Sequence, residues 1–274
     1  MPESVLIVGL GEVGRPLYEL AAEAGVYDVY GYDIDPSKTV DALESIPRGI
    51  DYLHIAIPYN EGFVDNVLRY IRDFSPSIVI IHSTVAPGTT RRVYDTSGLT
   101  TAFSPVRGKH PKMKRHLRFW RKWISVLPAS EADTVAMHMS NLGFNVRVAD
   151  APVESLELAK LWETVYRAIM IASWQEIHRI AGRYGADLGV IAEFVAEVHS
   201  VLGDRPVYYP DYIGGHCLIP NVGILNNVYP SKLFEFVLES NDKRAAEVGD
   251  PRVKEEVLRL RELMLNLTDK SYYE

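Results

Sequence analysis

Three glycines and one aspartate near the start of the chain have the types and spacing that bind a dinucleotide. Gly9, Gly11 and Gly14 follow an apolar run at residues 5–8, and Asp33 ends the next apolar run. In such a turn the first glycine allows a tight bend, the second lets the backbone approach a pyrophosphate, and the third lets the next helix pack closely. The N-terminus of that helix favours negative charge. Because a carboxylate here binds ribose hydroxyls and repels a 2′-phosphate, the pattern predicts NAD rather than NADP.

The elements that would position these residues alternate between strand and helix. Apolar runs at 52–57 and 78–82 predict two strands, with a helix at 61–74 between them. This alternation is typical of a parallel sheet, and such sheets bind ligands beyond the carboxyl ends of their strands. The alternative is that prolines and threonines at those ends only form turns. We expect the cofactor to contact the strand ends and the glycine turn through Glu12, Val13, Pro58, Tyr59, Ser83 and Thr84.

The remaining elements predict two domains. Further strands are predicted at 100–103, 123–126 and 145–148, and helices at 36–43, 133–142, 187–199, 231–248 and 252–267, with a loop at 206–220. A segment without helix breakers runs from 154 to 184 and ends before Gly185, and its roughly thirty residues would form a helix about 45 Å long. We predict an α/β fold, with a Rossmann-type doubly wound parallel sheet at 1–150 and a helical domain at 151–274 that begins with this long connecting helix.

The composition is typical of a soluble globular protein, with 47% hydrophobic and 24% charged residues. No apolar run is long enough to cross a membrane and the N-terminus has no secretion signal, so we expect a cytoplasmic protein. A net charge of −7 argues against general nucleic-acid binding. The single cysteine excludes an internal disulfide, and we expect neither a metal site nor a membrane partner.

One stretch departs from the acidic balance of the chain. Eight lysines and arginines and two histidines lie between Arg107 and Lys122, with no acid among them. This basic run could help to hold an anionic substrate, or it could be a solvated or partner-binding surface.

Four stretches resemble, in order and rough spacing, the UDP-glucose/GDP-mannose dehydrogenase family. They are the glycine turn, IHSTVAPGTTRRV (81–93), ESLELAKLWETVYRAIMIASWQEI (154–177) and IGGHCLIPN (213–221), and the resemblance covers residues 3–248. The GGHC stretch is closest to the branch that oxidises UDP-N-acetylhexosamines. Members oxidise a sugar C6 hydroxyl to a carboxylate with two NAD, through a thiohemiacetal and a thioester on a cysteine. The resemblance therefore implies an NAD-dependent dehydrogenase acting on a nucleotide sugar.

By this resemblance Cys217 is the nucleophile, Lys160 stabilises developing oxyanions and Thr84 orders a catalytic water. These roles suit the residue types, because a thiolate in a glycine-rich loop can attack an aldehyde and a cation stabilises negative oxygen. The alternatives are a small buried cysteine and an ordinary helix ion pair between Lys160 and Glu157. The residues expected at the substrate are Arg107, Lys160, Thr164, Gly214 and Gly215.

Three positions depart from the family pattern. Val106 stands where the family has a catalytic glutamate, Thr164 replaces an asparagine, and Asn221 replaces an aspartate near the cysteine, so that Asn221 is a candidate catalytic residue without an ionisable group. The family's third domain, which holds much of the nucleotide, is also missing from these 274 residues. We therefore expect an enzyme reduced to two domains in which the lost proton-transfer groups slow hydrolysis of the thioester.

Two other functions stay open. The chain could be a regulatory or assembly subunit that binds NAD without turnover. It could instead perform one two-electron oxidation of a small hydroxy acid with Lys160, as the related 6-phosphogluconate and 3-hydroxyacid dehydrogenases do. We also expect a homodimer built on the helix at 154–184, which carries Trp162 and Trp174, because its apolar residues are not confined to one narrow stripe.

Overall fold

A computed structural model describes residues 2–266 of the chain. Its sheet has seven strands in the order β2-β1-β3-β4-β5-β6-β7. The strands are β1 (Glu3–Val8), β2 (Tyr27–Tyr32), β3 (Tyr52–Ile55), β4 (Ile78–Ile81), β5 (Thr100–Phe103), β6 (Lys122–Leu127) and β7 (Val146–Val148). Every neighbouring pair is parallel except β5 and β6, which run antiparallel. The predicted Rossmann-type fold class is therefore confirmed, but β6 and β7 run opposite to the other five strands, which the pattern did not predict.

The helices that the sequence predicts are present, with one exception, and their ends lie close to the predicted ones. The observed α-helices are α1 (Gly14–Ala24), α2 (Phe63–Phe74), α3 (Thr89–Ser97), α4 (Met113–Phe119), α5 (Ala132–Asn141), α6 (Val153–Tyr184), α7 (Leu188–Leu202), α8 (Leu218–Val228), α9 (Lys232–Glu247) and α10 (Pro251–Asn266). Of these, α3, α4 and α8 were not predicted. Leu267, the predicted end of the last helix, lies outside the described residues.

The sheet is buried on both faces, as parallel sheets require. On one face Ile7 and Ile80 pack with Leu17 of α1 and Val135 of α5. On the other face the alternate strand residues, such as Leu53, pack in a second core with residues of α2. All four residues of β3 and all four of β4 are buried, so their near-continuous apolar runs are explained by helices on both sides.

Strand order places the glycine turn at the point where the direction of winding of the sheet reverses. From β1 the chain goes to β2 on one side, and it returns to β3 on the other side of β1. The crevice beyond the carboxyl ends of β1 and β3 is the place where doubly wound sheets bind their ligands. Gly9, after β1, and Ala56, after β3, both lie at this crevice.

Two local predictions were wrong. The helix predicted at 36–43 is a run of turns, because the backbone N–H groups of Val40 and Asp41 both bond back to the carbonyl of Gly31. The Asp35 carboxylate also accepts from the N–H and hydroxyl of Ser37, which favours a turn over a helix. The loop predicted at 206–220 ends earlier, since α8 begins at Leu218.

The chain divides into two compact units, one that ends at Lys160 and one that begins at Leu161, so that the boundary falls within α6. The predicted domain limits near residue 150 stay a prediction. In the second unit one apolar core joins Leu161 and Val165 of α6 to Val222 of α8 and Val237 of α9. Another joins Trp174 of α6 to residues of α7 and α10. Among the described residues, no helix is both long and apolar enough to cross a membrane.

Candidate cofactor turn and thiol site

The glycine turn has the steric properties that its spacing predicts. Gly9 adopts φ +90°, and a Cβ there would lie 2.6 Å from the carbonyl oxygen of Ala56. A Cβ on Gly14 would lie 1.7 Å from the carbonyl oxygen of Gly9, so only glycine lets α1 approach the turn this closely. At Gly11 a Cβ would meet no described atom within 4 Å. Two glycines are thus required by the fold, and the third leaves open space at the turn.

Asp33 lies beside this turn, just after β2. Its carboxylate accepts hydrogen bonds from the backbone N–H groups of Leu10, at 2.6 Å, and Asp35, at 2.8 Å. A carboxylate can accept about four hydrogen bonds, so it has lone pairs left for ribose hydroxyls. Val13 is the N-cap of α1, and its apolar side chain cannot satisfy the N–H groups of the first turn. The residues therefore fit a dinucleotide with its diphosphate at α1 and a ribose at Asp33.

The residues predicted at the strand ends lie along one edge of the sheet. Pro58 and Tyr59 follow β3, while Ser83 and Thr84 follow β4, which is its neighbour. The Ser83 hydroxyl donates to the carbonyl oxygen of Ile57 at 2.6 Å and joins the two segments. Thr84 is half-buried. Ser83 therefore has a structural task that the sequence did not reveal, whereas contact with a cofactor stays a prediction.

Glu157 supports this edge, and sequence reasoning missed the role. Its carboxylate accepts from the backbone N–H of Gly88 at 2.6 Å, and from the N–H and the hydroxyl of Thr90 at 2.9 and 2.6 Å. Glu157 is fully buried, and burial raises its pKa although these hydrogen bonds oppose the shift. Both carboxylate oxygens thus hold the N-terminus of α3, and the segment that carries Thr84, against α6. The GTT sequence at the start of α3 and the acid on α6 were the available signals.

Lys160 lies one turn after Glu157 on α6 and is half-buried. Its positive charge and that of Arg107 help to lower the pKa of Lys122, after the larger effect of burial. Arg107 donates to the carbonyl oxygen of Arg121 at 2.8 Å, and its guanidinium lies 4.8 Å from the centre of the Trp120 ring. The first unit therefore concentrates positive charge near the end of β5.

Val106, at the position of the family's acid, is buried in the apolar core beside α4. The isopropyl side chain of valine can neither accept nor donate a proton. The structure thus offers no replacement for the acid at this position.

Much of the basic run is engaged in protein contacts. Lys114 forms ion pairs with Glu19 and Glu23 of α1 at 3.1 and 2.5 Å, and Arg118 pairs with Glu23 at 3.2 Å. Lys122 is buried. These contacts hold α4 against α1, so that an anion-binding role is left to fewer cations than the sequence suggested.

Cys217 occupies a distinct position in the second unit. It is exposed and is the N-cap residue of α8, where the helix dipole stabilises negative charge. Gly214 and Gly215 precede it, both exposed, and Gly215 adopts φ +81°, a conformation that other residues rarely take. The interpretation of Cys217 as a small buried residue is therefore wrong.

Buried amides hold the start of this loop. The Asn241 side chain accepts from the N–H of Ile213 at 2.8 Å and donates to its carbonyl oxygen at 3.2 Å. Gln175 of α6 donates to the carbonyl oxygen of Asp211 at 2.7 Å. Sequence reasoning missed both residues, since nothing in their spacing links them to a loop elsewhere in the chain. The cysteine thus follows an anchored segment, with its two glycines between.

Two of the positions that depart from the family contact each other. Asn221, one turn after Cys217 on α8, donates from its side-chain amide to the Thr164 hydroxyl at 2.7 Å. Thr164 in turn donates to the carbonyl oxygen of Leu161 at 2.9 Å. Both side chains are buried. The pair is a satisfied neutral hydrogen bond, which can orient α8 on α6 but cannot take up a proton.

Comparison with known proteins agrees with the resemblance seen in the sequence. Residues 154–243 match the model of the UDP-glucose/GDP-mannose dehydrogenase family, central domain. A UDP-N-acetyl-D-mannosamine dehydrogenase of Methanococcus maripaludis is 23% identical across 90% of this chain and 66% of the relative. A relative of that name from Pyrococcus horikoshii is 23% identical, with 62% of its length matched. The chain thus spans less than two thirds of the length of these curated relatives, and the resemblance to this family is confirmed.

Solved structures share the fold. The structure of UDP-D-ManNAc dehydrogenase from Pyrococcus horikoshii superposes with a TM-score of 0.76 at 20% identity, covering 90% of this chain and 70% of that one. The 3-hydroxyisobutyrate dehydrogenase of Mycobacterium tuberculosis superposes with a TM-score of 0.65 at 17% identity, covering 95% of this chain and all of that one (100%). At such identities the likeness establishes the fold alone.

Proposed function

We propose that this chain, whose residues 154–243 match the central domain of UDP-glucose/GDP-mannose dehydrogenases, is an NAD-dependent oxidoreductase that oxidises an alcohol carbon of a nucleotide sugar through Cys217. The observation that carries the proposal is the exposed thiol at the N-terminus of α8, preceded by two glycines and an anchored loop. The matched relatives are UDP-N-acetyl-D-mannosamine dehydrogenases, which supports a UDP-sugar as the substrate class.

The first unit would hold the cofactor. NAD supplies the hydride acceptor for the oxidation. Gly11 and the first turn of α1, with Glu12 and Val13, would hold its diphosphate, while Asp33 would bind a ribose. At the strand ends Pro58, Tyr59 and Thr84 would border it.

The chemistry assigns one task to each remaining residue. Oxidation of the alcohol gives an aldehyde, and the Cys217 thiolate adds to its carbonyl carbon to form a thiohemiacetal. Loss of a second hydride turns this adduct into a thioester, which water then cleaves to a carboxylic acid and the free thiol. Lys160 would stabilise the oxyanions, and Thr84 would orient the water. Arg107, Thr164, Gly214 and Gly215 would contact the substrate.

A second candidate is a single oxidation of a small hydroxy acid with Lys160 as the central residue. Two observations favour it: the acid of the family is replaced by buried Val106, and the 3-hydroxyisobutyrate dehydrogenase fold covers 95% of this chain. A cofactor-binding subunit without turnover is the third candidate.

The test of the three candidates is NADH formation by the purified protein with a panel of UDP-sugars and hydroxy acids. Turnover with hydroxy acids alone would replace the first proposal, and no turnover would favour the third.

We predict that NAD binds at least about tenfold more tightly than NADP, a difference of about 1.4 kcal/mol. The cause is Asp33, whose carboxylate lies beside the turn and would repel a 2′-phosphate. Calorimetric titration of both cofactors measures the ratio. As a control, Asp33→Asn keeps the size of the side chain and removes its charge, and should lower the ratio. Equal affinities in the unaltered protein would remove the ribose assignment.

The proposed homodimer has a candidate surface on α6. Leu158, Trp162 and Tyr166 recur every four residues and are all exposed, whereas Trp174, also considered above, is buried. An exposed apolar stripe on a helix is typical of an association surface. We predict a dimer at micromolar concentration that Trp162→Glu converts to a monomer, measured by sedimentation equilibrium. Met137→Glu, which alters an even more exposed apolar residue on α5, is the matched control. A monomeric unaltered protein would contradict the prediction.

A cytoplasmic location of the protein also stays a prediction.

A further inference from the structure

A chain of buried side chains crosses the first unit, and none of its residues has been assigned a task in the proposed chemistry. His82 Nδ1 lies 2.8 Å from the carbonyl oxygen of Ser104, and its Nε2 lies 2.9 Å from His54 Nδ1. His54 Nε2 lies 2.9 Å from His138 Nε2. His138 Nδ1 lies 3.0 Å from the hydroxyl of Tyr27. The three imidazoles are each at most 2% exposed, so this continuous series of hydrogen bonds runs through the core.

A lysine lies at one end of the series. Lys122 Nζ is 3.2 Å from His82 Nδ1, 2.7 Å from the carbonyl oxygen of Ser104 and 3.0 Å from that of Pro105. Lys122 is only 3% exposed. A buried amine among neutral acceptors is costly when charged, so its position needs an explanation.

The two ends of the series lie at opposite edges of the sheet. Tyr27 is the first residue of β2. Lys122 is the first residue of β6, which runs antiparallel to β5 and therefore begins where the parallel strands end. His54 in β3 and His82 just after β4 lie between them, and α5 supplies His138. The series thus joins the edge at which the cofactor would bind to the opposite edge.

The donors and acceptors are satisfied when all the groups are neutral. A His82 Nδ1–H donates to the Ser104 carbonyl, which leaves Nε2 to accept from His54 Nδ1–H. His54 Nε2 then accepts from His138 Nε2–H, and His138 Nδ1 accepts from the Tyr27 hydroxyl. The Tyr27 oxygen accepts in turn from the Asn141 amide at 3.3 Å. A neutral Lys122 donates its two N–H groups to the two carbonyls.

When Lys122 is charged, every hydrogen bond in the series can run in the opposite direction, with donor and acceptor exchanged. An ammonium has three N–H donors, and three acceptors surround Lys122: the two carbonyls and a His82 Nδ1 lone pair. His82 Nε2–H then donates to His54 Nδ1, and His54 Nε2–H donates to His138 Nε2. His138 Nδ1–H donates to the Tyr27 oxygen. The same residues therefore support two hydrogen-bond patterns that differ in the tautomer of every imidazole. In the charged pattern His82 Nδ1 and the Ser104 carbonyl oxygen are both acceptors, so the two atoms, 2.8 Å apart, must separate slightly while both accept from Lys122.

We propose that His82, His54 and His138 form a buried proton relay that connects Lys122 at the cofactor edge of the sheet with Tyr27 at the opposite edge. Conversion of the neutral pattern to the charged one moves one proton along each bond of the series. The hydrogen bond from His82 Nδ1 to the Ser104 carbonyl is lost, while the one from Lys122 to that carbonyl stays. The Lys122 amine takes the proton of His82 Nδ1, His82 Nε2 takes that of His54 Nδ1, and His54 Nε2 takes that of His138 Nε2. His138 Nδ1 takes the Tyr27 proton, and water restores the phenol. The net result is one proton carried from water to Lys122, and the reverse sequence releases one.

The surroundings set the pH at which the relay switches. Burial, and after it the charges of Lys160 and Arg107, hold the pKa of Lys122 well below 10.5. Burial is also the main cause that lowers the pKa of His54 and His82 well below 6.5, and that of His138 to about 3. At the other end, Tyr27 faces Glu3, Tyr52 and Asn141, and burial raises its pKa. Each of these shifts disfavours a charged imidazole, which favours a switch of tautomers without an added charge on a ring.

A metal site is excluded by the arrangement of the rings. His54 uses both nitrogens on its two neighbours, so the three imidazoles are linked in series and do not converge on one point. Among the described residues, no group of three or more histidine, cysteine, aspartate or glutamate side chains could hold a metal ion. His138 is also fixed by stacking on Tyr52, with ring centres 3.6 Å apart.

The use of the relay during catalysis rests on the proposed function. Oxidation of an alcohol by NAD releases one proton with each hydride, and a site that excludes water needs a path for it. The relay itself does not depend on that reaction, because the two patterns exist in the protein without substrate or cofactor. Its test can therefore fail or succeed independently of the dehydrogenase proposal.

The experiment is a pH titration of the cofactor-free protein with 15N-labelled histidine, in which NMR shifts report the tautomer of each buried ring. We expect His82, His54 and His138 to change tautomer together at one midpoint below pH 10.5, the ordinary lysine value. Lys122→Met should hold all three in the neutral pattern at every pH. Lys112→Met, an exposed lysine of the same basic run, is the control and should leave the midpoint unchanged.

A second measurement does not need an altered Lys122. Tyr27→Phe keeps the ring and removes the hydroxyl, so exchange of the imidazole N–H protons with water should slow by on the order of 10²-fold. Fixed tautomers across the stable pH range of the unaltered protein would overturn the proposal and leave a static polar core. Independent midpoints for the three rings, or exchange unaffected by Tyr27→Phe, would also overturn it.

Discussion

The variant Cys217→Ser is expected to form no covalent adduct with substrate and to lose the second oxidation. A serine hydroxyl is a far weaker nucleophile than a thiolate, so the aldehyde is no longer converted into a hydride donor. Loss of the nucleophile should slow this step by at least on the order of 10²-fold. Quantifying NADH and aldehyde per molecule of substrate, with mass spectrometry of the protein, checks both parts.

The unaltered protein should accumulate an acyl group on Cys217. Thioester cleavage needs a group that takes a proton from water, and the candidate positions carry Val106, Thr164 and Asn221. The structure gives these changes a physical meaning, since Val106 is buried in apolar contacts and the other two bond to each other as neutral groups. In this interpretation the Cys217 thiol still attacks the aldehyde, and hydrolysis of the resulting thioester is the slow step.

A matched variant separates attack from hydrolysis. Asn221→Asp restores an ionisable group at nearly constant volume, one turn from Cys217, and should shorten the lifetime of the acyl adduct. The Thr164 hydroxyl, which accepts from Asn221 and donates to the Leu161 carbonyl, would turn to donate to the new carboxylate. If Cys217→Ser forms NADH as fast as the unaltered protein, the thiol has no role. If one NADH is formed per molecule of substrate, free aldehyde is released and no adduct is found on the protein, the result would favour the single oxidation with Lys160.

Local patterns predicted most of the elements because each signal lies within a few residues. The glycine turn, the buried runs of β3 and β4, and the break at Gly185 are examples, and all three are found in the structure. The prediction of a helix at 36–43 was wrong because the carbonyl of Gly31, outside the segment, accepts hydrogen bonds from the N–H groups of Val40 and Asp41. Short helices such as α3 and α4 were missed because their residues have weak helical propensity or a uniform charge.

The supporting residues of the site could not be predicted because their partners are distant in sequence. Glu157 binds Gly88 and Thr90, and Asn241 binds Ile213, across separations that no local pattern encodes. The histidines of the relay come from two strand regions and a helix, and each alone resembles an ordinary core residue. In contrast, the exposed position of Cys217 agrees with what the GGHC stretch implies.

Replacement of Gly14 by alanine is expected to damage the fold itself. The new Cβ would lie 1.7 Å from the carbonyl oxygen of Gly9 and 2.8 Å from its carbonyl carbon, and backbone atoms cannot rotate away as a side chain could. The helix α1 must therefore move off the sheet, at a cost of about 3 kcal/mol or more. Chemical denaturation without cofactor measures this loss, and NAD affinity should fall with it.

Gly11→Ala should leave the stability of the cofactor-free protein nearly unchanged and weaken NAD binding. The contrast with Gly14→Ala tests whether this turn binds a dinucleotide. A Cβ at Gly11 meets no described atom within 4 Å, so stability without cofactor should stay within about 0.5 kcal/mol of the unaltered protein. The same open space is where the backbone would approach a pyrophosphate, so calorimetry should find NAD bound at least about tenfold more weakly. Gly182→Ala, in the interior of α6 and also with open surroundings, controls for the added methyl group. If Gly11→Ala binds NAD as well as the Gly182 variant does, no phosphate approaches the turn, and Gly9 and Gly14 are there only to pack α1 on the sheet.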